Sequence, residues 1–228
     1  MNPQGPTVLL CNPWIHDFAA YDLWMRPLGL LSLAEVLLKQ GVPVELLDLL
    51  DRTHPAWGPQ ANPKPKAHGT GAFFKEEIAK PLVVGSIPRR FSRYGAPLPA
   101  VHRRLEALKK QKAIGAILLT SSMTYWYRGV AEAAETLRRH YPKAPLALGG
   151  VYANLMPQHA QRTLSPHLLF NTSQRVSGAG SVANAGKEAL EGILGASLPG
   201  WPPPTPTSLR KALSLYPRLP SFPLLTSV

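Results

Sequence analysis

The sequence predicts an α/β fold: a flavodoxin-like (Rossmann-type) sheet of five parallel strands with helices on both faces. Two observations favour it. Short apolar runs bounded by breakers recur along the chain, and amphipathic helical patterns separate them. The clearest unit spans residues 113–160, where a helical pattern lies between the apolar runs 114–119 and 146–148.

The individual elements follow from the same patterns in chain order. Apolar runs that end at breakers predict strands over residues 8–11, 44–50, 114–119, 146–148 and 167–176. Apolar residues at helical spacing predict helices over residues 28–40, 99–112, 130–141, 156–164 and 182–193, the last stopped by Gly195. Right-handed crossovers then predict the strand order 2-1-3-4-5, with a switch point between the first and third strands.

Two segments interrupt this alternation. Residues 53–97 form a long Pro-rich insertion within a first domain, residues 1–196. The aromatic side chains Phe91 and Tyr94 predict that the insertion folds back over the edge of the sheet. Residues 197–228 are rich in proline and are expected to be a linker that leads into a further domain and does not join this core.

Composition limits the possible functions. The net charge is +12, but the basic residues are spread over several short segments, which favours solvated helix faces over a nucleic-acid partner. The single cysteine, Cys11, excludes an internal disulfide framework and a thiolate metal cage. No apolar run reaches about 18 residues and the start has no basic n-region, so we expect no membrane span and a cytoplasmic location.

Small residues follow two neighbouring strands of the predicted sheet. Thr120, Ser121 and Ser122 end one apolar run, and Gly149 and Gly150 end the next. Parallel strands bring these ends to one edge, where ligands of such sheets bind, and small residues there suit a flat ligand close to the backbone. Ordinary turn roles are the alternative for all of them.

Side chains that follow the first two strands are less informative. The loop after Asn12 flanks the predicted crevice, and its aromatic side chains either cover the sheet edge or form a wall for a planar ligand. Asp48 and Asp51 lie at the end of the second strand, where a pair of acids either binds a ribose hydroxyl or is solvated, and solvation is favoured.

Four segments together resemble the N-terminal part of radical-SAM proteins that carry a cobalamin-binding domain. They are VLLCNPWIHDFAAYDLWMRPLGLLSLAEVL, IPRRFSRYG, LLTSSMTYWYRGV and LGGVYANLMPQHA, and the likeness runs from about Val8 to Ala160 and more weakly to Leu194. The resemblance implies that Ser121-Ser122-Met123, Gly149-Gly150 and the turn Gly178-Ala179-Gly180 surround the nucleotide tail of cobalamin. The residues expected to bind the cofactor are Asn12, Thr120, Ser121, Ser122, Met123, Gly149, Gly150, Val151, Gly178 and Gly180.

The sequence departs from that family at two places. Its first loop lacks the Asp-x-His-x-x-Gly motif that ligates cobalt, so His16 is not assigned as a ligand and no metal-binding or catalytic residue is predicted. The three-cysteine motif that holds a [4Fe–4S] cluster for S-adenosylmethionine cleavage is also absent. We therefore expect an accessory cobalamin module whose radical-SAM domain normally lies in the same chain, or alternatively a flavodoxin-like docking domain that no longer binds cobalamin.

Overall fold

The computed structural model describes residues 5–23, 26–61 and 69–170. Its helices and strands are, in chain order, β1 (Thr7–Asn12), β2 (Ile15–Asp17), β3 (Tyr21–Asp22), α1 (Leu28–Lys39), β4 (Val44–Asp48), β5 (Gly71–Ala72), β6 (Lys75–Glu77), β7 (Ser92–Tyr94), α2 (Leu98–Gln111), β8 (Ile114–Leu119), α3 (Tyr127–His140), β9 (Leu146–Leu148), α4 (Val151–Leu155), α5 (Pro157–Leu164) and β10 (Leu168–Leu169). Short 3-10 turns lie at Pro55–Trp57, Pro59–Ala61, Leu82–Val84 and Thr124–Trp126.

The main sheet has five strands in the order β4-β1-β8-β9-β10. All four neighbouring pairs are parallel. Numbered along the chain, this order is 2-1-3-4-5, so the predicted α/β sheet is confirmed. The fifth strand begins close to its predicted start, whereas residues 171–176, the predicted helix 182–193 and the segment 197–228 lie outside the described residues.

Alternating side chains of the central strands enter two separate cores. On one face, Leu9, Ile117 and Leu148 join apolar residues of α2, α3, α4 and α5 in what we call the α3-side core. On the other face, Val8 and Leu118 pack with α1 in the α1-side core. This separation follows from the two-residue period of a strand, and it places helices on both faces of the sheet as predicted.

The insertion pairs with the loop that follows β1. Strand β7 lies antiparallel between β2 and β6, and β5 pairs with β3. Phe91 and Tyr94 are both buried, and the Phe91 ring contacts Phe18 edge-on at 5.2 Å between centroids. In its described part, the insertion therefore folds back onto the body of the domain, as expected.

Trp14 anchors this loop to the body of the domain. Its side chain is buried, and the indole nitrogen donates a hydrogen bond to the carbonyl oxygen of Ala96 at 2.7 Å. The backbone of Trp14 lies so close to α3 that a Cβ atom on Gly129 would come within 2.1 Å of the Trp14 carbonyl oxygen. Trp14 thus packs within the α3-side core and joins the loop after β1 to α3 and to Ala96.

The second strand ends earlier than predicted, and its acidic residues are not solvated. Strand β4 stops at Asp48, where the Asp48 carboxylate accepts a hydrogen bond from the amide of Leu50 at 2.9 Å. Asp51 accepts from the amide and the hydroxyl of Thr53. Both carboxylates are buried, so the expectation of solvation was wrong: local hydrogen bonds satisfy them inside the fold.

Candidate functional site

Ser121 joins the carboxyl ends of two neighbouring strands. Its buried hydroxyl donates a hydrogen bond to the carbonyl oxygen of Gly149 at 2.6 Å, and the amide of Ala153 donates to the hydroxyl oxygen at 3.4 Å. The amide of Val151 donates to the Ser121 carbonyl at 2.8 Å. The fold itself therefore uses the hydrogen-bonding groups of this serine, and its side chain positions the end of β9 and the start of α4.

Gly150 is required by the same junction. Its φ of 96° lies in a region that favours glycine. A Cβ atom at this position would lie 2.1 Å from the carbonyl oxygen of Ser121 and 2.7 Å from its nitrogen. The second glycine of the pair thus has a structural explanation that needs no ligand.

Gly149 differs from its neighbour because the fold does not exclude a side chain there. A Cβ atom would meet Phe170 at 3.6 Å, which is an ordinary van der Waals distance. Leu148 points into the α3-side core, so Gly149 faces the α1 side together with Ala147. Ala147 of β9 and Gly149 just after β9 lie between Leu118 of β8, which pairs with Ala147, and Phe170, which follows β10. We call this arrangement the β9 trough.

Exposed apolar side chains lie next to the strand ends. Met123 is 48% exposed and Val151 is 49% exposed, and the turn Thr124–Trp126 packs against α4. Three further apolar side chains are exposed: Tyr125 in the turn, Leu155 at the end of α4, and Met156 directly after α4. Ser122 is exposed and Thr120 is half-buried, and both residues lie within three positions of Met123 in the sequence. The predicted residues of β8 and β9 thus meet at one edge.

Asn12 lies at the same edge, and its side chain is bonded to the end of the neighbouring strand β4. Its side-chain amide donates to the Asp48 carboxylate at 2.7 Å, and both residues are buried. This bond links the ends of β1 and β4.

Burial, with a smaller contribution from Asp48, raises the pKa of the neighbouring Cys11 thiol, so this cysteine stays a neutral thiol at physiological pH.

A charged network connects the first loop, the insertion and α3. The imidazole Nε2 of His16 lies 2.7 Å from the Glu132 carboxylate, which also accepts a hydrogen bond from Arg93. Arg93 donates a second hydrogen bond to Glu76. Burial acts to raise the pKa of Glu132, but the hydrogen bond to His16 and the charge of Arg93 outweigh it and lower that pKa. His16, the histidine of the loop after β1, is thus held by a carboxylate.

A tyrosine–histidine pair behind the strand ends was missed by the sequence reasoning. The hydroxyl of Tyr152 in α4 lies 2.6 Å from Nδ1 of His159 in α5, and the Tyr127 ring contacts His159 edge-on at 4.9 Å. Burial raises the pKa of Tyr152. Residues seven apart lie on the same face of a continuous helix, so the spacing of Tyr152 and His159 could have indicated the contact. The break between α4 and α5 removes that inference, because the two residues lie on different helices. Phe170 of the trough was also missed, because it was expected only as part of a strand.

A groove between α3 and α5 lies away from this edge. It has a volume of about 520 Å³ and is lined by Arg138, Arg139 and Thr163 among others. Arg138 and Arg139 belong to the last turn of α3, whereas the carboxyl ends of the strands lie at its first turn.

Within the described ranges there is no group of three or more His, Cys, Asp or Glu side chains suited to hold a metal, and no helix long and apolar enough to cross a membrane. Gly178 and Gly180 fall outside those ranges.

Comparison with known proteins adds little beyond this geometry. No protein-family model and no curated protein sequence matches the chain. Among solved structures, the chain is similar to the radical S-adenosylmethionine methyltransferase TsrM from Kitasatospora setae, determined with its tryptophan substrate and the analogue aza-SAM. The TM-score is 0.42 at 16% sequence identity, and the match covers 71% of this chain and 22% of that chain. This chain therefore spans about a fifth of the length of that protein.

Proposed function

We propose that this chain is a cobalamin-binding module that works beside a radical-SAM domain. The observation that carries the proposal is the β9 trough, where Gly149 leaves space beside Phe170 although the fold would accept a side chain there. The fold does not require glycine at this position, which lies at the carboxyl edge of a parallel sheet where ligands bind. A glycine there lets a flat group lie against the backbone. The four sequence segments that resemble cobalamin-binding radical-SAM proteins support the same ligand.

The residues of the edge fit the parts of this cofactor. Gly149 is proposed to admit the flat dimethylbenzimidazole tail, and the exposed Met123 and Val151 offer apolar contacts. Ser121 and Gly150 hold the strand ends in place, so their role is positioning. Cobalamin, when bound, would supply methyl transfer or related radical chemistry, as in the proteins that the sequence resembles.

The remaining predicted residues take smaller parts in this proposal. Thr120 and Ser122 would present hydroxyls to polar groups of the cofactor, and Asn12 would fix the end of β1 through its bond to Asp48. The [4Fe–4S] cluster and S-adenosylmethionine are assigned to a separate radical-SAM domain, because such a cluster needs several thiolates and this chain has only the buried Cys11.

Absorbance titration of the purified protein with hydroxocobalamin tests the proposal. The wild type is expected to bind and to retain the cofactor through gel filtration. Gly149→Val is expected to lose at least tenfold in affinity while its unfolding stays cooperative, because its Cβ atom would meet Phe170 at an ordinary distance and the side chain would occupy the position proposed for the tail. Ala79→Val, which adds similar bulk at an exposed position of the insertion, is the matched control and should bind like the wild type.

A docking domain without cobalamin is the second candidate function. It is favoured by the Ser121 hydroxyl, whose hydrogen bonds are made within the fold and need no ligand. The same titration separates the two functions. A wild type that binds no cobalamin supports the docking domain, whereas a wild type that binds it while Gly149→Val retains full affinity keeps the function but removes the trough from the site.

A further inference from the structure

Two adjacent apolar side chains stand fully in water at the tip of the β6–β7 hairpin. Leu82 is 100% exposed and Val83 is 88% exposed. Single exposed apolar residues are common on protein surfaces and need no explanation. An adjacent pair that is this exposed adds almost no buried apolar area to the part of the fold that the structure describes, so packing does not explain it.

The tip is ordered, so this exposure does not come from a frayed loop. The amide of Ile78 donates to the carbonyl of Phe91 at 3.0 Å and closes the base of the hairpin. Within the loop, the Lys80 ammonium donates to the Ile87 carbonyl at 2.7 Å. The amide of Gly85 donates to the Leu82 carbonyl at 3.1 Å and turns the chain at the apolar pair. The buried Phe91 ties the hairpin to the body of the domain.

Basic side chains flank the apolar pair on both limbs of the hairpin. Lys75 and Lys80 lie before it, and Arg89 and Arg90 lie after it. Both arginines are exposed, and Arg90 forms a loose, exposed ion pair with Glu77 at 3.6 Å. The hairpin therefore combines two exposed apolar side chains at its tip with an excess of positive charge. The net charge of the chain is also positive, at +12.

We propose that this tip, Leu82 and Val83 with Arg89 and Arg90, is a reversible anchor to an anionic lipid surface. Apolar side chains that project from a basic element can enter the boundary between headgroups and acyl chains, while the cations meet the anionic headgroups. The size of the patch favours lipid over a protein partner. A stable protein interface takes about 800 Å² from each partner, far more than two side chains present.

Co-sedimentation with vesicles tests this anchor. Vesicles of phosphatidylcholine alone are compared with vesicles containing about a third phosphatidylglycerol, at low and high salt. We expect the wild type to bind the anionic vesicles at least tenfold more tightly, and to lose most of this binding in high salt because the headgroup attraction is screened. Leu82→Ser with Val83→Ser should lose at least fivefold, and Arg89→Gln with Arg90→Gln should abolish the preference for anionic lipid.

The double variant Leu23→Ser with Leu28→Ser is the matched control, because both leucines are exposed apolar residues outside the hairpin. It should bind vesicles like the wild type, and all variants should unfold at the wild-type midpoint. Absence of wild-type binding to anionic vesicles, or equal binding by the tip variant, would overturn the proposal. Binding of a uridine oligonucleotide that needs the two arginines but not Leu82 and Val83, with no vesicle binding, would instead assign the arginines to nucleic acid.

Discussion

The paired glycines after β9 have different reasons to be glycine. Gly150 has a positive φ and lies against the backbone of Ser121, so the fold excludes any side chain. Gly149 has an ordinary backbone conformation and only Phe170 near its missing Cβ. A sequence motif of two glycines can thus combine one structural position with one position left open for a ligand.

Substitution by alanine should separate the two glycines by stability alone. Gly150→Ala is expected to cost roughly 3 kcal/mol or more, because it combines a strained φ with a clash against the backbone. Gly149→Ala should change the free energy of unfolding by less than about 1 kcal/mol, since the added methyl group makes an ordinary contact. Urea unfolding of both variants measures the difference, and equal losses would contradict the distinction.

His140 lies in a chain of three side chains between α2 and α3. Its Nδ1 is 2.9 Å from the Glu106 carboxylate, and its Nε2 is 2.8 Å from Nδ1 of His102. Burial lowers the pKa of His140, the neighbouring His102 lowers it further, and Glu106 opposes both. The fold therefore holds His140 in its neutral form.

This shift predicts a loss of stability in mild acid. The unfolded chain protonates His140 near the ordinary pKa of 6.5, whereas the folded chain resists until a lower pH. Below about pH 6.5 the unfolded state thus binds more protons, and the free energy of unfolding falls as the pH falls. His54, whose pKa burial also lowers, acts in the same direction. Urea unfolding at pH 7.5 and 5.5 should show this fall in the free energy of unfolding, and the fall should be smaller in His140→Gln. If the free energy of unfolding falls equally in that variant and the wild type, His140 is not a source of the pH dependence.

At the scale of the elements, Arg93 holds the insertion to α3. Its guanidinium donates to Glu76 beside it and to Glu132 of α3, and lies 5.4 Å from the centre of the Trp14 ring. Arg93 is buried, while the two carboxylates keep partial contact with water. Removing one partner should therefore cost more than at the surface, because the charges that remain are partly withdrawn from water.

Removal of this guanidinium should loosen the insertion. Arg93→Met is expected to lower the free energy of unfolding by about 2 kcal/mol, because two half-buried carboxylates lose this cation, although Glu132 keeps its contact with His16. The control Arg139→Met breaks the exposed pair with Glu135 on α3 and should cost less than about 0.5 kcal/mol. Trypsin should also cut Arg93→Met faster at Arg89 and Arg90. Similar stability losses in the two variants would show that the Arg93 network adds nothing beyond a surface pair.

The main elements were predictable because each is a local pattern. The strands β1, β8 and β9 read as short apolar runs, and α1, α2 and α3 as helical periods, so that the order of the sheet followed from crossover handedness. The small strands of the insertion gave no such signal. Strand β5 has two residues and β7 has three, and β7 pairs with β2, far away in the sequence.

The candidate site was predictable in position but not in detail. The strand ends bring Ser121 and Gly149 together as expected, because parallel strands share one carboxyl edge. The spacing could not reveal that Ser121 bonds within the fold or that Asn12 turns towards Asp48. Such contacts depend on neighbours brought in by tertiary pairing, and the buried carboxylate of Asp48 was missed for the same reason.

For the whole molecule, we predict that the domain ends before the Pro-rich segment 197–228. The described elements already enclose two cores on the faces of the sheet, and the segment carries eight prolines, which disfavour helix interiors and central strands. Truncation after Ala196 should therefore shift the thermal unfolding midpoint by only a few degrees. A loss of several kcal/mol, as expected when buried core is removed, would instead place the segment within this domain.

The central position of β1 also has a consequence for synthesis. Val8 pairs with Val44 on one side, but its partner on the other side, Ala116, is made about a hundred residues later, which takes roughly 5–20 s of translation. Until α2 and α3 emerge, Leu9 and Cys11 lack the helices that cover them. The nascent chain thus carries an uncovered apolar strand for seconds. We therefore expect this protein to aggregate more when it is translated in a system depleted of chaperones than when chaperones are present.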